Sequence, residues 1–153
     1  GIGESTGFYR ATPQVTLTIP STAAKVITVG AYDQVYDSYA DFSGRGYADS
    51  TRTIGVAAAG LTKPDLVAPG VNIQAPDVYG SFTPVTGTSF AAPIVSGAAA
   101  LLMEWGIVRG NDPYLYGEKV KAYLRRGAKT LPGFARYPNE EVGDGEDVII
   151  RLY

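Results

Sequence analysis

The residue of this chain that is best placed to take part in a chemical reaction is Ser89, within segment 86–97. Gly87 permits a tight turn and Pro93 fits a helix only near its start, so the pattern predicts a helix that begins close to Ser89. A hydroxyl there would lie at the positive end of the helix, where free N–H groups stabilise a developing oxyanion. Two interpretations follow: Thr88 or Ser89 caps the helix, or Ser89 is a nucleophile.

The helix that follows Ser89 carries no charged residue as far as Met103. Such a helix could be buried on every side. At 1.5 Å per residue it would be about 22 Å long, which is shorter than a membrane span needs. We therefore predict a central core helix and no membrane-spanning segment.

Two segments resemble those of a known family, the subtilisin-like serine proteases (subtilases). Segment 87–97 reads Gly-Thr-Ser-Phe-Ala-Ala-Pro-Ile-Val-Ser-Gly, similar to the subtilase nucleophile segment Gly-Thr-Ser-x-Ala-x-Pro-x-Val-x-Gly. Segment 63–70 resembles a second subtilase segment, Lys-Pro-Asp-x-x-Ala-Pro-Gly. The resemblance implies that Ser89 is the catalytic nucleophile and, through its backbone N–H, one oxyanion donor. It also implies supporting motif roles for Gly87, Thr88, Ala92 and Pro93.

Histidine is absent from the sequence, so this chain cannot itself supply the usual base for a serine nucleophile. In the subtilisin chain order the aspartate and the histidine both precede the serine. The resemblance therefore implies that the His, the Asp and an oxyanion Asn come from upstream sequence, and that this piece alone is inactive. Asp65 is rejected as the triad acid because it matches a structural position of the family. The alternative is a catalytically dead subtilase that acts as a binding or regulatory protein.

Composition excludes several other classes of function. A net charge of −2 over 153 residues gives no electrostatic case for nucleic acid or an anionic membrane, and the absence of cysteine excludes disulfides and thiolate metal sites. The partners implied by the resemblance are a polypeptide substrate and the N-terminal part of the same protease. Its mechanism requires no cofactor. One acidic loop is a candidate source of oxygen ligands for a structural Ca²⁺, through Asp33, Asp37, Asp41 and Asp49.

Segment 104–128 is similar to one subgroup, the clostridial subtilases, which include the spore-germination proteases. That similarity suggests an extracellular or spore-associated location. We predict that residues 1–14 are a loop or linker and that residues 15–153 are the C-terminal portion of a subtilase catalytic domain.

The predicted fold class is α/β, specifically the C-terminal half of a subtilisin-like, doubly wound parallel sheet around the central helix. A half-sheet of this kind exposes an apolar edge and face, so the isolated chain should pair with itself, pair with a partner or aggregate. A second helix is expected to start at Asn111-Asp112-Pro113 and to run to Gly127. Alternation and β-branched content predict strands at 15–19, 25–31, 53–58, 71–74 and 148–150.

Overall fold

The computed structural model describes residues 12–46 and 62–146 of the chain, so the strands predicted at 53–58 and 148–150 lie outside the described residues. In chain order the elements are β1 (Val29–Asp33), β2 (Ser38–Tyr39), β3 (Leu66–Pro69), β4 (Ile73–Pro76), β5 (Phe82–Val85), α1 (Thr88–Met103), a π-helical turn (Glu104–Val108) and α2 (Gly117–Gly127).

The sheet that supports the rest has the order β2-β1-β3, with β1 parallel to β3 and antiparallel to β2. All four residues of β3 are buried, as is typical of a strand covered on both faces. Leu66 and Ala68 belong to one core cluster together with α1, whereas Val67 packs on the other face with Leu131 and Val142. This period-two division places α1 directly on the parallel pair of strands. The α/β fold class is therefore confirmed, with the parallel strands packed against a long helix.

Helix α1 begins where the sequence predicts, but the prediction that it is buried on every side is wrong. Its buried residues are Ala91, Val95 and Ala98, which form a single face against β1 and β3. Small side chains on that face let the helix backbone approach the sheet closely. The opposite face remains open among the described residues.

The helical segment is also longer than predicted, because the π-helical turn extends α1 to Val108. The continuous helical segment Thr88–Val108 has 21 residues and contains an 18-residue window with a mean hydropathy of 1.6, so by length and composition alone it could cross a membrane. Core helices of soluble proteins meet the same criteria, and α1 contacts both β1 and β3.

The prediction of a strand at 15–19 is wrong, since residue 15 lies in a bend, residues 16–18 have no regular structure and a turn begins at residue 19. Val15 has a φ of 59°, and the Ser21 amide closes a turn onto Thr18 O. The strand predicted at 25–31 begins only at Val29, because the carbonyl oxygens of Ala24 and Val26 accept hydrogen bonds from lysine side chains and not from a neighbouring strand.

Two further boundaries differ from those predicted. Strand β4 begins at Ile73 and not at residue 71, because Asn72 has a positive φ of 53°. Helix α2 begins at Gly117, four residues after Pro113. The Leu115 amide closes a turn onto Asp112 O, and the Asn111 side-chain amide donates to Trp105 O and does not cap α2.

Candidate active site

Ser89 is the second residue of α1 and its side chain is exposed. Gly87 is the N-cap, and no side chain makes a capping hydrogen bond there, so the interpretation of Thr88 or Ser89 as a helix cap is not supported. The amides of the first helical turn lack partners within the helix. The structure therefore places an exposed hydroxyl beside the positive end of a 16-residue helix.

The turn before Ser89 is held in place by a chain of backbone hydrogen bonds. The Gly70 amide donates to Tyr32 O over 3.0 Å, and the Gly87 amide donates to Gly70 O over 2.8 Å. A Cβ on Gly70 would lie 2.6 Å from the Ala31 Cβ and 3.2 Å from Gly87 O. Only glycine at position 70 allows the end of β3 to lie this close to both β1 and the serine turn.

Gly87 meets a different requirement. Its φ of 153° and ψ of 158° belong to a region that is essentially restricted to glycine. Space is not the limit, because a methyl group added at Gly87 would have its nearest side-chain neighbour 3.6 Å away, on Phe90. A second hydrogen bond stabilises the turn: the Asn72 backbone N–H donates to the Thr86 hydroxyl over 3.0 Å. Sequence reasoning missed Asn72 and Thr86, for which no local pattern gives a signal.

The exposed residues of α1 form a continuous stripe that starts at Ser89. The members share the spacing i, i+3, i+4 that defines one helix face, and none carries a charge. This exposed α1 face consists of Ser89, Ala92, Pro93, Ser96, Gly97, Ala100, Leu101 and Met103. The structure thus brings Ala92 and Pro93 onto the same face as Ser89, while Gly87 and Thr88 lie at the helix start.

A cleft of about 460 Å³ opens beside the serine turn. Thr88, which precedes Ser89, lines it on one side, and the irregular segment 13–21 and the loop 41–45 line it on the others. Phe42 is half exposed and contributes apolar surface, whereas Thr18, Ser21 and Thr28 contribute hydroxyl groups. We call this cavity the Thr88 cleft.

A buried charged group lies beneath one wall of that cleft. The Asp65 side chain is 0% exposed, and its Oδ2 accepts from Lys63 Nζ at 2.7 Å and from the Thr28 amide at 2.7 Å. Its Oδ1 makes no hydrogen bond of good geometry among the described residues but lies 2.8 Å from Lys121 Nζ, an ion-pair contact. Burial, opposed by the Asp65 carboxylate, lowers the pKa of Lys63. We call Lys63, Asp65 and Lys121 the Asp65 cluster. Since two ammonium groups engage its carboxylate, Asp65 has a structural role here.

The acidic loop considered for calcium is only partly within the described residues. Asp33 Oδ1 accepts a hydrogen bond from the Val35 amide, Asp37 has a positive φ of 47°, and Asp41 lines the Thr88 cleft. Asp49 lies outside the described residues. Over residues 12–46 and 62–146, the structure contains no group of three or more side chains able to hold a metal ion.

Comparison with known proteins agrees with the geometry. A model of the subtilase family (Peptidase S8) matches residues 3–145 of the chain. Serine protease AprX of Bacillus subtilis is 33% identical over 132 residues, covering 73% of this chain and 26% of AprX. The human membrane-bound transcription factor site-1 protease is 33% identical over 138 residues, covering 90% of this chain and 12% of that protein.

Among solved structures, the Clostridium perfringens CspB protease superposes with a TM-score of 0.84 at 45% identity, covering 97% of this chain and 30% of that one. The prenylagaramide maturation protease PagA gives a TM-score of 0.65 at 32% identity, covering 86% of this chain and 42% of that one. The predicted similarity to clostridial subtilases is confirmed. The chain spans less than half the length of each of these relatives.

Proposed function

Because the chain belongs to the subtilase family of serine peptidases, we propose that it carries the nucleophile of an endopeptidase, Ser89, which hydrolyses peptide bonds through an acyl-enzyme. The observation that carries this proposal is the position of Ser89: exposed, at the start of α1, after a glycine turn anchored to the sheet. A serine retained merely for packing would have no need of that exposure.

In the proposed reaction Ser89 Oγ attacks the substrate carbonyl while its proton passes to a histidine, and an Oγ–carbon bond forms. The tetrahedral oxyanion is stabilised by the Ser89 backbone N–H and by a second donor, an asparagine side chain. The histidine then gives the proton to the leaving amine as the peptide bond breaks, and water hydrolyses the ester by the same route. Every step is an acyl or proton transfer by protein groups, so no cofactor enters the scheme.

The histidine, the aspartate that orients it and the oxyanion asparagine are proposed to come from a preceding part of the protein. Two observations support this: the chain has no histidine, and it matches only a fraction of the length of its relatives. The exposed α1 face is where that part would pack, because the face is uncharged, rich in small residues and begins at Ser89. The Thr88 cleft, one residue from Ser89, is proposed to receive a substrate side chain next to the scissile bond.

Activity-based labelling of the full-length protein with a fluorophosphonate tests the proposal. We expect Ser89→Ala to abolish labelling, since loss of the nucleophile in a triad of this type costs about 10⁶-fold in kcat. Ser96→Ala is the matched control, because Ser96 is another exposed serine on the same helix face, and it should leave labelling intact. The 153-residue chain alone should not label.

Each alternative gives a different result. Labelling that survives in Ser89→Ala would contradict the assignment of the nucleophile. A full-length wild-type protein that folds but never labels would favour a binding or regulatory subtilase without activity. Labelling of the isolated chain would show that the proposed dependence on an upstream base is wrong.

A further inference from the structure

One wall of the Thr88 cleft has no regular secondary structure of its own. Thr18, Ser21 and Thr28 line the cleft from the irregular segment that precedes β1. A strand or helix would hold such a wall through its own backbone ladder. Here the wall is held by local turns and by groups that reach it from other elements.

The Asp65 cluster supplies those contacts. Lys63 Nζ donates to Val26 O at 2.8 Å and to the Thr28 hydroxyl at 2.9 Å. The Thr28 hydroxyl in turn donates to Ser21 O over 2.5 Å. The Asp65 carboxylate accepts from the Thr28 backbone N–H over 2.7 Å, and the Asp65 backbone N–H donates to the Thr28 carbonyl oxygen over 2.8 Å.

The third member of the cluster comes from a segment that is distant in sequence. Lys121 lies on α2, yet its Nζ donates to Ala24 O and Val26 O at 2.9 Å each, across 97 and 95 residues of sequence. Asp65 Oδ1, 2.8 Å from the same ammonium group, adds an ion-pair contact to these two hydrogen bonds. Only 11% of the Lys121 side chain is exposed, so these contacts are shielded from water.

We propose that Lys121 is a positioning residue for the Thr88 cleft, holding the wall formed by segment 18–28 at the width that a substrate side chain requires; this rests on the proposed function. Ser89 does not depend on Lys121, because the serine turn is anchored separately through Gly70 and Gly87. The loss of Lys121 therefore changes which side chains are accepted and leaves the nucleophile in place.

Charge balance explains why Lys121 can be removed without destroying the fold. The cluster contains two ammonium groups and one carboxylate. Replacing Lys121 by methionine keeps the aliphatic stem and leaves Lys63 paired with Asp65, so no buried charge is left without a partner. Val26 O keeps its bond from Lys63, but Ala24 O loses its ammonium donor. The segment that carries Ser21 and Thr28 is thereby released at one of its anchors.

The test compares Lys121→Met with wild type in the full-length protease. Peptide substrates that differ only at the residues flanking the scissile bond give the ratio of kcat/KM between the preferred side chain and alanine. We expect this ratio to fall about tenfold in Lys121→Met, mainly because KM rises for the peptide with the preferred side chain. The value of kcat/KM for the alanine peptide and the rate of fluorophosphonate labelling should each change less than about twofold. Lys119→Met is the matched control, since Lys119 lies on α2 but pairs with Asp112 and does not reach the segment. Its ratio should equal that of wild type.

An unchanged ratio in Lys121→Met overturns the proposal, as does an equal fall for all peptides, which indicates a general loss of structure. If Lys121→Met does not fold, Lys121→Gln, which retains an amide donor, takes its place and should lower the ratio in the same sense. Failure of both variants to fold assigns Lys121 to global stability and also overturns the proposal. A wild-type protein that does not label at Ser89 is a separate result, because it refutes the proposed function and not the positioning of the wall.

Discussion

Replacing Asp65 by asparagine should be among the most damaging single-atom changes in this domain. The substitution preserves shape but removes the only negative charge in a cluster with two ammonium groups, whose side chains are just 8% and 11% exposed. The Asp65 side chain itself is 0% exposed, so water cannot compensate the loss. Removing one partner of a buried ion pair costs about 3–5 kcal/mol because the remaining charge is left uncompensated. Here two charges remain, and we expect a loss of at least about 3 kcal/mol, which is a factor of about 100 or more in the folded-to-unfolded ratio.

Urea unfolding of the full-length protein measures this loss, with Ser89→Ala as the background in all samples to prevent self-digestion. Glu104→Gln is the control, because it neutralises one carboxylate of a surface pair with Arg109 in which both side chains are about half exposed. Surface pairs of this kind contribute about 0–1 kcal/mol. The reasoning is refuted if Asp65→Asn and Glu104→Gln lower the free energy of unfolding by the same small amount.

Two further predictions concern the serine turn and alkaline pH. Gly70→Ala places a methyl group 2.6 Å from the Ala31 Cβ and should displace the turn before Ser89. We expect the rate of fluorophosphonate labelling to fall about 10–100-fold, since misplacement of a reacting group by about 1 Å can lower a rate about 100-fold. Gly117→Ala is the control and should label at the wild-type rate, because a Cβ added there meets nothing within 4 Å. Burial raises the pKa of Tyr137. A group whose pKa is higher in the folded state contributes stability that is fully present below its unfolded pKa and is lost as pH rises through the folded one. The free energy of unfolding should therefore fall above a pH of about 10, and it should fall less steeply in Tyr137→Phe. Urea unfolding at each pH measures this. If the free energy of unfolding falls equally steeply with pH in both proteins, Tyr137 does not contribute to the alkaline loss of stability.

Much of the candidate site could be predicted because its signals are local. Gly87 and the run of uncharged residues after Ser89 indicate a turn and a helix start within a few residues of the observed boundary. The strand boundaries that were predicted wrongly depend on features outside the local pattern. Strand β1 starts late because Lys63, which precedes β3, and Lys121 of α2 occupy carbonyl groups before Val29. Strand β4 starts late because of the positive φ of Asn72. Neither effect is visible in the alternation of apolar and polar residues.

The sequence by itself determined that a serine at a helix start would need a base from elsewhere, because the motif is contiguous and the histidine count is zero. Only the tertiary structure decided which face of α1 is buried, since an uncharged helix offers no polar stripe to mark its open side. The same holds for the contact of Lys121 with Ala24, 97 residues apart. Contacts over such separations depend on how elements pack together, and no local pattern of residues encodes them.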